Sequence, residues 1–221
     1  MKDTEIEKFI SSNNDENISF YLSTIIDKLK DISKENNKLG IFMVVIILLY
    51  YLIDNSIAKS INIGPISIED LTKIQIFIPA FFAFLILRFK VINFHKAELI
   101  KLSKKITKQK FGIENSNIEP EFTDDLTRTL LPLSLYEEIN KLNYKGSSFV
   151  GCIGAIITFP LTIILLLIPY FFEFLWLREL YWKFSEFNIY EKATYIVTVW
   201  ILIFSLYYLV HTMINSIKEQ K

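Results

Sequence analysis

Cysteine, glycine and proline are scarce in this chain, whose 221 residues include one Cys, six Gly and six Pro. A single cysteine excludes an internal disulfide scaffold, and so few Gly and Pro exclude a collagen-like or low-complexity chain. A net charge is also missing, because 24 Lys and Arg balance 24 Asp and Glu. Proteins that bind duplex nucleic acid usually carry an excess of basic residues that attracts the phosphates. This chain has no such excess, so we expect no nucleic-acid binding.

Apolar residues make up 52% of the sequence and are concentrated in four blocks nearly free of ionisable side chains, which is typical of an integral membrane protein. The block 149–172 has 24 uncharged residues, enough at about 1.5 Å per residue to cross about 30 Å of hydrocarbon. The block 193–217 contains only His211, near one end. The blocks 39–53 and 74–87 are shorter, with 15 and 14 residues. They span if their polar flanks reach the interface, and a re-entrant hairpin is the alternative.

These blocks predict an all-α integral membrane protein with four transmembrane helices, an amphipathic N-terminal helix and a small helical cytoplasmic region between spans 2 and 3. The polar first 38 residues show no cleavable signal, so we expect the N-terminus to be retained. The expected segments are a cytoplasmic amphipathic helical region at 1–38, a transmembrane hairpin at 39–92 with spans at about 39–55 and 72–90, and a cytoplasmic helical segment at 93–148. They continue with a second hairpin at 149–217, with spans at about 149–172 and 193–214 and an aromatic interfacial loop between them, and a cytoplasmic tail at 218–221.

Basic residues near the spans predict the orientation. Four lysines precede the first span, and eight Lys or Arg lie between residues 88 and 110, whereas the opposite loops hold fewer. The positive-inside rule therefore places both termini and the central segment in the cytoplasm, with the protein in the cell inner membrane. Three Arg against 21 Lys, together with 37 Ile, fit a bacterial genome of low GC content.

An amphipathic stripe precedes the first span. Its apolar members alternate spacings of four and three: Ile18, Leu22, Ile25, Leu29 and Ile32. This pattern predicts a helix that packs on the other cytoplasmic helices of the same chain.

The second membrane helix is expected to start near Ser67. A turn is predicted at Gly64-Pro65, and Ser67 with Asp70 has the spacing of a capping box. Pro79 is the only Gly or Pro between Ser67 and Lys110, so we expect this helix to continue through the membrane surface into the cytoplasm.

The cytoplasmic extension of that helix carries a basic face, formed by Lys101, Lys104, Lys105 and Lys108. One interpretation is contact with anionic membrane lipid, worth about 1 kcal/mol per basic residue. The alternative, which we favour, is that these charges only fix the topology.

Small residues mark a contact ridge at the start of the third span. Ser147, Gly151 and Ala155 recur every four residues, with Gly154 beside them. Small residues let two backbones approach closely, so this ridge predicts association with another helix of the chain or of a second copy. Pro160 and Pro169, later in the same span, predict a helix kink.

The segment 173–192 is rich in rings that suit the outer membrane interface: Phe174, Trp176, Tyr181, Trp182, Phe184, Phe187 and Tyr190. We expect an aromatic interfacial loop or helix at headgroup level. A docking surface for an extracytoplasmic ligand is the alternative.

No catalytic, cofactor-binding or metal-ligating set is evident. Cys152 lies in an apolar block and is expected to pack, while His95 and His211 have no neighbouring second ligand. Acid pairs in the central segment coincide with predicted helix starts, which explains them without metal or acid-base chemistry. The span cores hold essentially no ionisable residues, which argues against ion-coupled transport.

We therefore expect a non-enzymatic membrane effector or interaction protein. Its cytoplasmic helices receive a signal or a protein partner, and the bundle then self-associates or perturbs the membrane, as in bacterial phage defence or toxicity. No small-molecule substrate is identified. The alternatives are a bacteriocin-immunity-type protein, a passive channel lined by threonines, and a membrane-embedded lipid enzyme that uses the histidines. The threonines in question are Thr158, Thr162, Thr194 and Thr198.

Overall fold

The computed structural model describes residues 3–55, 57, 61–63, 66–68, 75–111 and 149–218. Long helices dominate this part of the chain, together with one short two-stranded ribbon. In chain order the elements are α1 (Asp3–Ser12), α2 (Asp15–Asp54), β1 (Ile61–Ile63), β2 (Ile66–Ile68), α3 (Phe77–Phe111), α4 (Phe149–Lys183), a 3-10 turn (Phe184–Glu186) and α5 (Ile189–Lys218). The short helices predicted within 112–148 lie outside the described residues.

Three helices of the described chain are long and apolar enough to cross a membrane. They are Asp15–Asp54, Phe77–Thr107 and Ile189–Thr212. The structure is therefore that of a helical protein with membrane-spanning character, as the composition predicts. Helix α4 contains the predicted third span within its 35 residues, and the crossing itself stays a prediction.

The chain divides into two compact units, and the divisions fall inside helices. Unit 1 comprises Met1–Asn37 and Ile92–Ile163, and unit 2 comprises Lys38–Val91 and Ile164–Lys221. Helices α2, α3 and α4 therefore each contribute residues to both units.

The core of unit 1 is formed by isoleucine and leucine from three helices. Its buried members are Ile6 of α1, Ile18, Ile25 and Leu29 of α2, and Ile100 and Ile106 of α3. The predicted stripe before the first span is thus turned toward this core, with Leu22 partly buried against it. Removing such side chains from water is the main source of stability for a unit of this size.

The division of the predicted helical region 1–38 into two helices was not foreseen, and the helix is interrupted at Asn13-Asn14. The break has a local cause: the Asn14 side-chain oxygen accepts a hydrogen bond from the Asn17 backbone N–H at 2.9 Å, which caps the start of α2. Two acids, Asp15 and Glu16, follow in the first turn of α2, where the helix dipole favours them.

The predicted start of the second membrane helix near Ser67 is wrong. Ser67 lies in β2 opposite Asn62 of β1, and α3 begins only at Phe77. Isoleucines alternate with polar residues on both sides of Gly64-Pro65, and this period of two favours an antiparallel pair over a helix. Beyond its start, α3 does run without a break to Phe111, as expected.

The boundary between the last two helices also differs from the prediction. Residues 173–183, expected in an interfacial loop, continue α4 to Lys183. They contain neither Gly nor Pro, so nothing in them ends a helix. Helix α5 then starts at Ile189, where Asn188 and Glu191 form a reciprocal cap: the Asn188 side chain accepts the Glu191 N–H at 3.0 Å, and the Glu191 carboxylate accepts the Asn188 N–H at 2.8 Å.

Truncation of Leu29 tests the core of unit 1. We expect Leu29→Ala to destabilise this unit by about 3 kcal/mol, because it removes a buried side chain and leaves a cavity. Phe20→Ala is the control, since Phe20 is exposed on the same helix. Hydrogen exchange of 15–33 in the detergent-purified chain should accelerate in the first variant alone, and equal acceleration in both would contradict this core.

Candidate functional site

Unit 2 has an apolar surface and a partly polar interior. Large side chains of α5 such as Trp200 and Ile203 are exposed, while Thr198 and Ser205 of the same helix are buried. Contiguous exposed apolar surface of this extent is not tolerated in water, but it matches a lipid environment. Buried polar groups inside such a unit are costly, and they mark positions with a specific role.

An aromatic cluster joins α2, α3 and α4 at its centre. The Trp176 ring stacks on the Tyr50 ring, with centroids 4.3 Å apart, and meets the Phe82 ring edge-on at 5.0 Å. Only 5% of Trp176 is exposed. Trp176 is therefore a core residue of unit 2, and the place of the other rings of 173–192 at the membrane interface stays a prediction.

Polar contacts lie one turn from this cluster, at the end of α2. The Tyr50 hydroxyl donates to Glu179 Oε2 at 3.1 Å, and Gln75 Nε2 donates to Asp54 Oδ1 at 3.1 Å. These bonds tie α2 to α4 and α2 to the residues just before α3. Beside them an open groove of about 660 Å³ is lined by α2 and α4.

Glu173 is the least expected feature of this interior. Its side chain is fully buried, at 0% exposure, and neither carboxyl oxygen has a hydrogen-bond partner in the described chain. The residue lies on α4 between Tyr170 and Trp176, one turn from each. Leaving a buried polar group unpaired costs about 1–3 kcal/mol, and more when it is charged. A fold keeps a group that lowers its stability in this way only where the group meets another requirement, such as function.

A second buried ionisable group, Lys90, lies on α3. Its ammonium is 5.4 Å from the centroid of the Tyr170 ring, within cation–π range. The Tyr170 hydroxyl in turn hydrogen-bonds Ser205 of α5 at 2.9 Å. Lys90, Tyr170 and Ser205 therefore connect α3, α4 and α5 through polar contacts.

The sequence did not reveal Glu173 or Lys90 as interior residues. Each stands within three residues of the end of an uncharged block, and both were assigned to the membrane boundary on that basis. A signal was present in their neighbours: Tyr170 and Trp176 lie on the same helical face as Glu173 and show that the face continues inward.

The predicted contact ridge is only partly within the described residues. Ser147 lies outside them, while Gly151, Gly154 and Ala155 are placed on α4, without description of their side-chain surroundings. Pro160 and Pro169 lie inside α4, which is helical throughout, and the predicted kink stays a prediction.

The predicted basic face lies on α3. Lys101 and Lys105 are half-buried there. Lys104 and Lys108 belong to the same helix, and their side chains lie outside the described part of the structure. Nothing in these placements tests contact with lipid.

The other candidate residues form no shared centre that the structure describes. His95 Nδ1 lies 3.9 Å from Glu98 of its own helix, and His211 packs beside the ring of Tyr207. The Thr198 hydroxyl donates to the Thr194 carbonyl oxygen at 2.8 Å, so it is occupied within its own helix. Among the described residues, no group of three or more His, Cys, Asp or Glu could hold a metal ion.

The comparisons with known proteins give no relative. No family model, no curated protein and no solved structure matches this chain.

The aromatic cluster can be tested with paired tryptophan truncations. We expect Trp176→Ala to destabilise unit 2 by about 3–5 kcal/mol, because it removes a large buried ring from three helices. Trp200→Ala is the matched control, since 72% of Trp200 is exposed. Thermal unfolding in detergent, followed by circular dichroism, should separate the two variants, and a similar Tm for both would contradict the stacking.

Replacement of Glu173 separates a structural role from a functional one. We expect Glu173→Leu to raise the stability of the purified chain by about 1–3 kcal/mol, because it removes an unpaired buried carboxyl. Glu186→Leu, at an exposed position, should leave stability unchanged. A fall in Tm for Glu173→Leu, measured in the same detergent, would show that the carboxyl has a stabilising partner.

Proposed function

We propose that this protein is a non-enzymatic polytopic inner-membrane protein that acts by association, as a membrane effector or interaction protein. In this proposal the cytoplasmic helices receive a signal or a protein partner, and the membrane helices then self-associate or perturb the bilayer. Bacterial phage defence or toxicity is the setting proposed for it.

The uncovered surface of α5 is the observation that carries this proposal. Only 11% of its most apolar stretch is buried, against 28% in α2 and 33% in α3. One face does pack, because Thr198 and Ser205 are buried. The remaining apolar surface is free to contact lipid or a membrane helix of another copy, and exposed apolar faces of this extent are typical of association surfaces.

Unit 1 supports the part of the proposal that concerns a signal. It has an apolar core of its own, contributed by α1, α2 and α3. Around this core its surface carries charged side chains such as Asp27 and Lys30, which pair at 3.2 Å. Because α2 and α3 contribute residues to both units, a partner that binds unit 1 acts on helices that continue into unit 2.

Inducible expression in a bacterial host tests this proposal. Growth and the uptake of a membrane-impermeant dye are followed for the natural chain and for Gly151→Leu. We expect growth arrest and dye entry from the natural chain, and loss of both in the variant, because a bulky side chain keeps two backbones apart at the ridge.

Gly40→Leu is the matched control for that experiment. Gly40 lies in α2, and a Cβ added there meets no atom within 4 Å. This variant should remain toxic at equal membrane abundance. If the natural chain is harmless, and instead protects cells from an added pore-forming bacteriocin, the effector proposal fails and an immunity role replaces it.

A further inference from the structure

The groove between α2 and α4 combines an apolar floor with a charged rim. Ile47 and Leu48 of α2, with Leu175 of α4, contribute apolar surface. Asp54, Arg178 and Glu179 contribute the ionisable groups. The occupant must therefore be amphipathic, with a long apolar part and a head that carries charge.

The charged rim lies at the end of a candidate membrane span. Asp54 is the last residue of α2, whereas Ile47 and Leu48 lie nearly two turns earlier. Tyr51 and Trp182, both largely exposed, also line the groove near the rim. Tyr and Trp at such a position are typical of the headgroup level of a bilayer, so the floor faces acyl chains and the rim faces headgroups.

The charges of the rim distinguish between headgroups. Arg178 supplies a guanidinium, whose forked donors suit a phosphate. Asp54 and Glu179 supply two carboxylates, and each has one oxygen that already accepts a hydrogen bond, from Gln75 and Tyr50 respectively. Those bonds hold the carboxylates in place, and each carboxylate has further lone pairs for an ammonium donor. A headgroup with both a phosphate and a hydrogen-bonding ammonium fits this rim.

We propose that this groove is a binding site for phosphatidylethanolamine. The phosphate lies at Arg178, the primary ammonium donates to Asp54 and Glu179, and the acyl chains follow Leu48 and Leu175 into the bilayer. Phosphatidylcholine has no N–H donor for the carboxylates, and phosphatidylglycerol has no cation for them. The groove volume of about 660 Å³ lies within the usual range of about 300–1,000 Å³ for ligand sites.

The site is independent of the proposed function, because it concerns lipid selection and not toxicity. Its test uses the full chain purified in detergent and exposed to equal amounts of the three phospholipids. Native mass spectrometry then measures which lipid is retained. We expect phosphatidylethanolamine to be retained about tenfold over phosphatidylcholine, the ratio that about 1.4 kcal/mol of extra hydrogen bonding supports.

Two variants identify the rim groups. Arg178→Ala should lower the retention of phosphatidylethanolamine and phosphatidylcholine alike, since both present a phosphate. Asp54→Asn together with Glu179→Gln should remove the preference between these two lipids while retention of phosphatidylcholine stays unchanged. Lys192→Ala is the control, because this lysine lies over the Phe184 ring and outside the groove.

Three results would overturn the site. Equal retention of phosphatidylethanolamine and phosphatidylcholine by the natural chain would exclude ammonium recognition. Preferential retention of phosphatidylglycerol would show that negative charge alone is recognised. If Arg178→Ala folds poorly, Arg178→Lys replaces it, because lysine keeps the positive charge and loses the forked donors of the guanidinium. The third result is unchanged lipid retention in a folded Arg178→Lys together with an unchanged lipid preference in the carboxylate variant. It would place the lipid outside this groove.

Discussion

The stack of Trp176 on Tyr50, with Phe82 at its edge, is the contact on which unit 2 depends. It joins three helices at one point, and aromatic contacts of this kind stabilise beyond the area that they bury. The same stack fixes which faces of α2 and α4 meet. Through that register the Tyr50 hydroxyl reaches Glu179, and the groove opens beside them.

The interior of unit 2 is mostly apolar but includes several buried polar groups. Glu173, Lys90 and Ser205 are buried, while the large apolar side chains of α5 face outward. Lipid supplies no hydrophobic force between helices, so polar contacts and close packing carry more of their association. Lys90 over Tyr170, and Tyr170 with Ser205, are contacts of this kind. Glu173 has no such compensation, and this makes it the strongest candidate in the interior for a role other than stability.

The two units differ in where their apolar side chains lie. Unit 1 buries isoleucine and leucine around a small core, as a water-exposed helical unit does. Unit 2 turns many of its apolar side chains outward. Helices α2 and α3 take part in both units. Helix α2 therefore has a buried apolar stripe at Ile18–Leu29 and exposed apolar residues from Ile41 onward. This continuity is what the proposed signalling role uses.

The sequence alone determined the helical class and indicated the membrane character, because long uncharged blocks suit membrane spans and a helix satisfies its own backbone hydrogen bonds. It also determined the stripe of Ile18, Ile25 and Leu29, since a 3.6-residue period depends only on local geometry. Tertiary structure decided the rest. Ser67 joined a strand because its neighbours alternate and pair, and Trp176 became buried because α2 and α3 supply partners distant in sequence. The meeting of Asp54 with Arg178 and Glu179 at the rim likewise depends on helix register, which no local pattern encodes.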